Sequence, residues 1–310
     1  MKIGFGAPVA GVWATPENLT SFAASAEGVG YASLWTFQRL IVPEGAAMEP
    51  VYHSVLDPMV ALGYLAGATQ RIRLGVAVVN APYLAPGYLA KQAATVDVLS
   101  RGRLELGLGI GWMPEEFTLA GATMERRGPR TAEYIDVLRR VWAGSIGEFH
   151  GEFYDLPAGR VAPRPVQRPG PPVLLGGVAP AALERAGRLA DGWVTSSRTD
   201  LSRIGEGIDV VRSAAQKAGR DPDSIRIICR GVVRAGAPIT VPEGGGRALL
   251  SGSYADIRGD AQWLAERGVT ELFYDLNWDP LVGAPDADPV GAAARAEEIL
   301  AELAPGQPAN

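Results

Sequence analysis

Short runs rich in Val, Ile and Leu alternate with longer stretches of helical periodicity along the 310 residues of this chain. The runs fall at 2–7, 32–36, 72–79, 103–108, 172–175, 192–195, 225–233 and 270–276. Polar residues interrupt them only weakly, which is the pattern of strands buried on both faces in a parallel sheet. Helices are predicted between them, at 16–29, 57–68, 86–99, 129–142, 180–189, 201–218, 255–266 and 289–303. Thr15-Pro16 and Asp288-Pro289 each set a polar residue before a proline in the first turn, and Arg267-Gly268 ends a helix. Eight β–α units over this length predict an α/β protein, a (β/α)8 barrel formed by a single domain at 1–310, with an insertion at about 145–171. A doubly wound open sheet is the alternative, because one strand fewer would undo the closure.

Three segments exceed the usual connection length. Residues 37–54 follow the second strand. Residues 145–171 precede the fifth and include a β-like piece at 148–156. Residues 235–253 follow the seventh and contain Gly244-Gly245-Gly246. Long connections in a compact domain are lids, binding loops or surface insertions. Barrel chemistry gathers at the C-terminal ends of the strands, so the first and third segments are the better placed for function.

Composition narrows the classes. Apolar residues make up 47 % and charged residues 20 %, which excludes a disordered chain. The 39 glycines and 24 prolines follow no three-residue period and so punctuate turns. A net charge of −5 supplies no basic field for nucleic acid or an anionic membrane. Cys229 is the only cysteine, which fits a reducing cytoplasm, and His53 and His150 are the only histidines, so no metal site is expected. The first residues read as a strand without a basic and apolar leader pattern, so no signal sequence is expected, and no apolar run is long enough to span a bilayer.

Leu106-Gly107-Leu108-Gly109-Ile110-Gly111-Trp112 ends the fourth strand with glycines that let a ligand approach the backbone. Trp112 stands where a dinucleotide fingerprint requires its third glycine, so that motif fails. Leu175-Gly176-Gly177-Val178 joins a strand to the helix opening at Pro180, and amide groups there would face an anion beside the positive helix end. A tight connecting turn reads the same way. Thr195-Ser196-Ser197-Arg198 ends the sixth strand and would complete an anion site or cap a helix. Arg126-Arg127-Gly128-Pro129-Arg130 precedes a helix, as an anion site or a solvated face. Glu115 and Glu116 follow Pro114, where compensation of the helix dipole accounts for them without catalysis.

Several of these pieces together resemble the bacterial-luciferase-like flavin and deazaflavin oxidoreductases. They are Ala32-Ser33-Leu34-Trp35, Ile72-Arg73-Leu74-Gly75-Val76-Ala77-Val78-Val79-Asn80, Leu99-Ser100-Arg101-Gly102-Arg103 continuing to Trp112, Leu175-Gly176-Gly177 and Ala190-Asp191-Gly192-Trp193. The resemblance covers nearly the whole chain and implies a TIM barrel with loop insertions at its C-terminal face. The compact length, the segment Trp35-Thr36-Phe37-Gln38-Arg39-Leu40 and the preponderance of Arg over Lys (Lys2, Lys91 and Lys217 only) make it most similar to the branch that uses coenzyme F420, an 8-hydroxy-5-deazaflavin.

The resemblance implies a site. The third strand would bulge through a cis peptide at Ala77–Val78 against the central ring of the cofactor. Gln38 and Asn80 would meet its polar edge or ribityl chain. Gly111 and Trp112 would flank the ring, and Gly176, Gly177, Val178 and Thr195 would hold its phosphate. Arg39, His53 and Glu116 are the candidates for catalysis, and Trp13 and Trp278 join them in the substrate pocket. The sugar-phosphate dehydrogenase branch carries an acid and a histidine where this chain has Gln38 and Arg39, so neither a histidine acid–base mechanism there nor sugar-phosphate oxidation follows. The expected activity is hydride transfer between deazaflavin C5 and an unidentified small organic substrate. An FMN-dependent two-component monooxygenase and a non-catalytic barrel that lost its cofactor are the alternatives. The resemblance also allows a homodimer.

Overall fold

The computed structural model describes residues 1–236, 238–240 and 246–306. Eight parallel strands close into a barrel: β1 (Lys2–Gly6), β2 (Ser33–Thr36), β3 (Arg73–Asn80), β4 (Leu104–Gly109), β5 (Val173–Gly176), β6 (Gly192–Val194), β7 (Arg226–Val232) and β8 (Glu271–Asp275). Each pairs with its neighbours in sequence, and β8 returns to β1 in a register running from Lys2↔Glu271 to Phe5↔Tyr274. Every strand predicted from the apolar runs is present, and the closure excludes the open sheet.

Helices cover the outside: α1 (Pro16–Gly28), α2 (Pro58–Ala68), α3 (Pro86–Leu99), the short α4 (Pro114–Leu119), α5 (Arg127–Trp142), α6 (Pro180–Leu189), α7 (Ile204–Lys217), α8 (Tyr254–Glu266) and α9 (Pro289–Glu302). Their starts follow the side chains that satisfy free first-turn amides. Thr15 accepts from Asn18 N, Asp57 from Met59 N and Val60 N, and Asp288 from Gly291 N. Ser253 and Asp256 form a reciprocal capping box on α8. α5 begins at Arg127, two residues before the predicted Pro129, because Arg126 takes a left-handed turn (φ 50°) and the chain is helical from the next residue. Among the described residues no helix is long and apolar enough to cross a membrane.

Alternate side chains of each strand point into the barrel and stack in layers. The middle layer is apolar: Trp35, Ala77, Leu174, Val194, Ile228 and Phe273. Trp35 and Phe273 stack at 5.1 Å. A Cβ at Gly75 would lie 2.3 Å from the Trp35 ring, so this indole occupies the space a side chain would need. Two residues earlier along the strands lies a charged layer. Glu105 pairs with Arg73 and, at 2.7 Å, with Arg226; Arg226 reaches Glu271 at 2.9 Å, and Ser33 and the Trp35 indole donate to Glu271. Opposite charges alternate around this end, as buried ions require. Two residues later lie Phe37, Arg230 and Asp275, at the open C-terminal mouth.

The segment between α5 and β5 forms two short ladders, Ser145–Ile146 with Gly159–Arg160 and Phe149–His150 with Asp155–Leu156. Its tip lies along α5, where the Glu133 carboxylate accepts from the amides of Glu152, Phe153 and Tyr154. Its end returns to the N-terminal side of the strands, where Gln167 bonds Asp97, Arg73 and Leu104 O. After β7, Arg234–Ala235 pairs in parallel with Ser251–Gly252. Gly244 and Gly245 of the predicted glycine run lie outside the described residues.

Candidate active site

A cavity of about 420 Å³ opens at the C-terminal mouth of the barrel, within the size range of small-molecule sites. Its floor comes from a break in β3. The pairing of β3 with β4 shifts register between Val76 and Val79, and the Ala77–Val78 peptide is cis, at the position the resemblance implied. Val78 turns toward β4 and β5, where glycines make room for it. A Cβ at Gly109 would lie 2.6 Å from a Val78 methyl, and one at Gly176 3.0 Å from the other.

The ends of β2, β3 and β4 are tied together by two side-chain amides. Asn80 N donates to Gln38 Oε1 at 2.8 Å, and Gly111 N donates to Asn80 Oδ1 at 3.0 Å. Both carbonyl oxygens are therefore engaged in the scaffold. The two amide nitrogens have no hydrogen-bond partner among the described residues and belong to cavity-lining side chains. Gly111 has φ +69°, and its carbonyl accepts from Arg127 Nη1 at 3.0 Å. Arg127 is thus committed to the wall. Arg126 pairs with Glu152 and lies over the Phe153 ring.

The far wall carries the glycine turn. Gly177, at φ +142°, is pressed against α6, where an added Cβ would meet Ala182 Cβ at 2.5 Å. Trp193 Nε1 fixes the turn by donating to Gly177 O at 2.9 Å. Val178, Thr195, Ser196, Ser197 and Arg198 complete this end of the cavity. The Thr195 hydroxyl accepts from Arg230 N at 2.9 Å, so its acceptor side faces β7. Trp112 is half exposed, with Arg39 and Arg198 both against its ring, at 5.3 and 5.5 Å. Bare backbone, a helix start, hydroxyls and an arginine make a donor set suited to a phosphate. Close-approach glycines beside an aromatic and aliphatic wall suit a planar ring system. The residues present fit a flavin-type phosphate cofactor.

Of the candidates for catalysis, Arg39 and Glu116 are joined. Arg39 Nη1 lies 3.1 Å from Glu116 Oε1, with both side chains almost fully buried. Glu116 also accepts from Leu40 N at 2.9 Å and from the Tyr83 hydroxyl at 3.0 Å. Burial and the Glu116 charge push the Tyr83 phenol well above its ordinary range, so it stays a donor. Glu116 lies in the first turn of α4 and is bound into an ion pair as well. Glu115, next to it, is exposed.

Two of the predicted pocket residues lie elsewhere. Trp13 is buried, but it packs edge-on against Phe22 of α1 and does not line the cavity. His53 ends a 3₁₀ turn, Pro50–His53, and is exposed on the outside of the loop. The turn sends Tyr52 inward instead. Trp278 does line the cavity, against Phe37 at 4.8 Å and edge-on to Tyr52 at 5.9 Å.

The sequence reading missed Tyr52 and Arg230. Arg230 Nη2 donates to Ala77 O at 2.6 Å, and its Nε lies 3.2 Å from Asp275 Oδ2. The guanidinium sits 4.7 Å from the Trp278 ring, with Phe37 and Phe273 at 5.3 and 5.5 Å. Burial draws its pKa below the ordinary arginine range, opposed by the attraction of Asp275 and then Tyr52. A charged residue inside an otherwise apolar strand was the signal available for it.

Closed barrel, broken third strand and glycine-walled mouth define a luciferase-like oxidoreductase. The family model described as luciferase-like monooxygenase matches residues 4–266, and the chain belongs to this family. An uncharacterised protein of Mycobacterium tuberculosis is 34 % identical over 307 residues, covering 94 % of this chain and 97 % of that one. An F420-dependent glucose-6-phosphate dehydrogenase of Microbacterium testaceum is 30 % identical over 217 residues, 68 % of this chain and 62 % of its own. An FMNH2-dependent dimethylsulfone monooxygenase of Pseudomonas putida is 31 % identical over 158 residues, 50 % and 43 %. Among solved structures, a coenzyme F420-dependent tetrahydromethanopterin reductase from Methanopyrus kandleri superposes with a TM-score of 0.75 at 18 % identity, covering 98 % of this chain and 99 % of that one. A monooxygenase from Streptomyces bottropensis gives 0.75 at 21 % identity, covering 98 % of each. The family thus contains both F420- and FMNH2-dependent members.

Proposed function

We propose that this protein is an F420-dependent oxidoreductase that transfers a hydride between the deazaflavin and a small organic molecule. The observation that carries the reading is the mouth of the barrel, where the Ala77–Val78 bulge and the glycine turn at Gly176-Gly177 line one cavity with Phe37, Trp112 and Trp278. The F420-dependent relative supports the deazaflavin, since its match extends over more of the chain than that of the FMNH2-dependent one.

When bound, the cofactor supplies a carbon that gives or takes two electrons as hydride. The amides of Gly177 and Val178, with Ser196, Ser197 and Arg198, would hold its phosphate. Gln38 and Asn80 would offer their amide N–H groups to it, and the backbone at Ala77–Val78 would support it. The protein's remaining work is to hold the reacting carbons together and exclude water, which Phe37, Ile110, Trp112 and Trp278 do by walling the space above that floor.

Titration of the purified chain with F420 and with FMN tests the reading. Micromolar binding of F420, with FMN at least tenfold weaker, is expected. Micromolar FMN binding without F420 binding would make the protein a flavin monooxygenase component. Binding of neither would leave a barrel without a redox cofactor.

A further inference from the structure

We propose that Arg130 and Arg185 form a second anion subsite next to the glycine turn, and that it takes a chain of carboxylates continuing outward from the cofactor phosphate. The inference rests on the cofactor reading of this cavity and adds to it a subsite and the chemistry of the ligand's outer end.

Ala182 of α6 is packed against Gly177, where an added Cβ would meet it at 2.5 Å. Arg185 lies three residues further along α6, so both side chains leave the same face of the helix. Its guanidinium reaches the start of α5. A Cβ at Gly128 would lie 2.7 Å from Arg185 Nη2, and the glycine leaves room for it. Arg127, next to Gly128, donates to Gly111 O in the cavity wall. Arg130 closes the first turn of α5 on the side of Phe153, 5.3 Å from the centre of that ring. The two arginines flank one helix start, between the glycine turn and the tip of the 145–171 insertion.

These cations are left uncompensated. Both side chains are half-buried, yet neither has an ion pair or a side-chain hydrogen bond among the described residues. Arg126 is paired with Glu152, and Glu133, further along α5, is occupied by the amides of Glu152, Phe153 and Tyr154. Burial, and then the charge of Arg188, draw the pKa of Arg185 below the ordinary arginine range. Neither α5 nor α6 has an acidic residue in its first turn or a side-chain cap. Positive charge at a helix start opposes the helix dipole. A chain with a net charge of −5 is not short of acids to place there. An anion at this position offsets all of these costs together, because the first-turn amides, the helix dipole and both guanidinium groups then act in one direction.

The arrangement also selects the ligand. Gly177, Val178, Ser196, Ser197 and Arg198 already supply donors for the phosphate, so further donors serve further charges on the same molecule. Arginine forks match carboxylates and phosphates alike. These two stand on separate sides of a helix start and are partly open to solvent, which suits single charges spaced along a flexible chain better than a second phosphate joined directly to the first. F420 is a ligand of this kind, with glutamates beyond its phosphate, whereas FMN ends at its phosphate.

Fluorescence titration of the full-length protein and of the double variant Arg130→Gln/Arg185→Gln measures binding of F420 with its glutamate chain, of the same deazaflavin ending at the phosphate, and of FAD, at about 20 and about 200 mM KCl. At low salt, removal of the glutamates should weaken binding to the wild type about tenfold. The double variant should lose this preference while binding the chain-free deazaflavin within about twofold of the wild type, and the preference should fade at high salt. Equal binding of the two deazaflavins by the wild type, or a preference that survives in the double variant, would overturn the subsite. FAD bound more tightly than F420 would overturn the carboxylate chain in favour of a second phosphate. Calorimetric titration of the cofactor-free protein with tetraglutamate separates these results from a failure of the cofactor reading. The peptide should bind saturably at low salt and not to the double variant, and this result without F420 binding would uphold the subsite and remove the cofactor. Equal peptide binding by the two proteins would overturn the subsite whether or not F420 binds.

Discussion

Arg230 Nη2 donates to the carbonyl oxygen of Ala77 at 2.6 Å, joining β7 to the floor of the cavity on β3 across the barrel mouth. The other side of the guanidinium faces Asp275, which also accepts from the backbone and side chain of Asn277. Asn277 in turn accepts from Val9 N and Ala10 N and donates to Ala7 O. The position of Arg230 is thus set from three strand ends.

Arg230→Met should destabilise the protein by about 3–5 kcal/mol, the usual cost of removing one partner of a buried ion pair and stranding the other. Asp275→Asn in the same background should return part of that loss, because no buried charge then remains unpaired. Urea denaturation of the two single variants and the double variant measures the coupling directly.

Glu116→Ala should also cost about 3–5 kcal/mol, since it leaves the Arg39 guanidinium, the Tyr83 hydroxyl and Leu40 N without their acceptor. Glu116→Gln keeps an acceptor for Leu40 N and should lose less. Equal losses in the two variants, measured by chemical denaturation, would show that the charge contributes nothing.

Gly177→Ala should weaken cofactor binding at least tenfold. The backbone there has φ +142°, and the new methyl would meet Ala182, so the turn must move away from the position that presents its amides. Fluorescence titration reads the affinity. Gly205→Ala, on the outer helix α7 where a Cβ meets nothing, is the control and should bind as the wild type does.

Cys229 should resist thiol reagents in the native state. Burial pushes its thiol up to about 12, against a smaller lowering by Thr195, so almost no thiolate exists near neutral pH. Labelling with a chromogenic disulfide should therefore proceed only as fast as the protein opens, and should become immediate in denaturant.

His150 should titrate above its ordinary value of 6.5, because Asp155 and then Glu148 accept from its ring. A raised folded-state pKa means that the interaction stabilises the ladder at and below the unfolded value and is lost as pH rises through the raised one. An NMR titration of the imidazole should show the elevation, and Asp155→Asn should bring the midpoint back toward 6.5.

The strands of the barrel were legible because each is a short apolar run between turn residues, and that pattern depends only on which positions are buried. The glycines at 109, 176 and 177 were legible for a related reason, since a side chain at those positions would collide with Val78 or Ala182. The loop at 37–54 was recognised as well placed, yet its histidine drew attention that belonged to the residue before it. His53 and Tyr52 are adjacent in sequence, and a single 3₁₀ turn decides which of them faces the cavity. Trp13 misled similarly: its position near the end of β1 suggested the mouth, but its ring is taken up by Phe22.

Local pattern fixed which segments are strands and helices, and that the chain is a parallel α/β protein, because backbone geometry and burial periodicity are written in neighbouring residues. Tertiary structure alone decided that Glu116 is spent on Arg39, that Arg230 reaches the Ala77 carbonyl, and that Tyr52 and not His53 lines the cavity. The first two join groups 77 and 153 residues apart in the chain, brought together only when the barrel closes, and a hydrogen bond is decided by distance in space and not by spacing along the sequence.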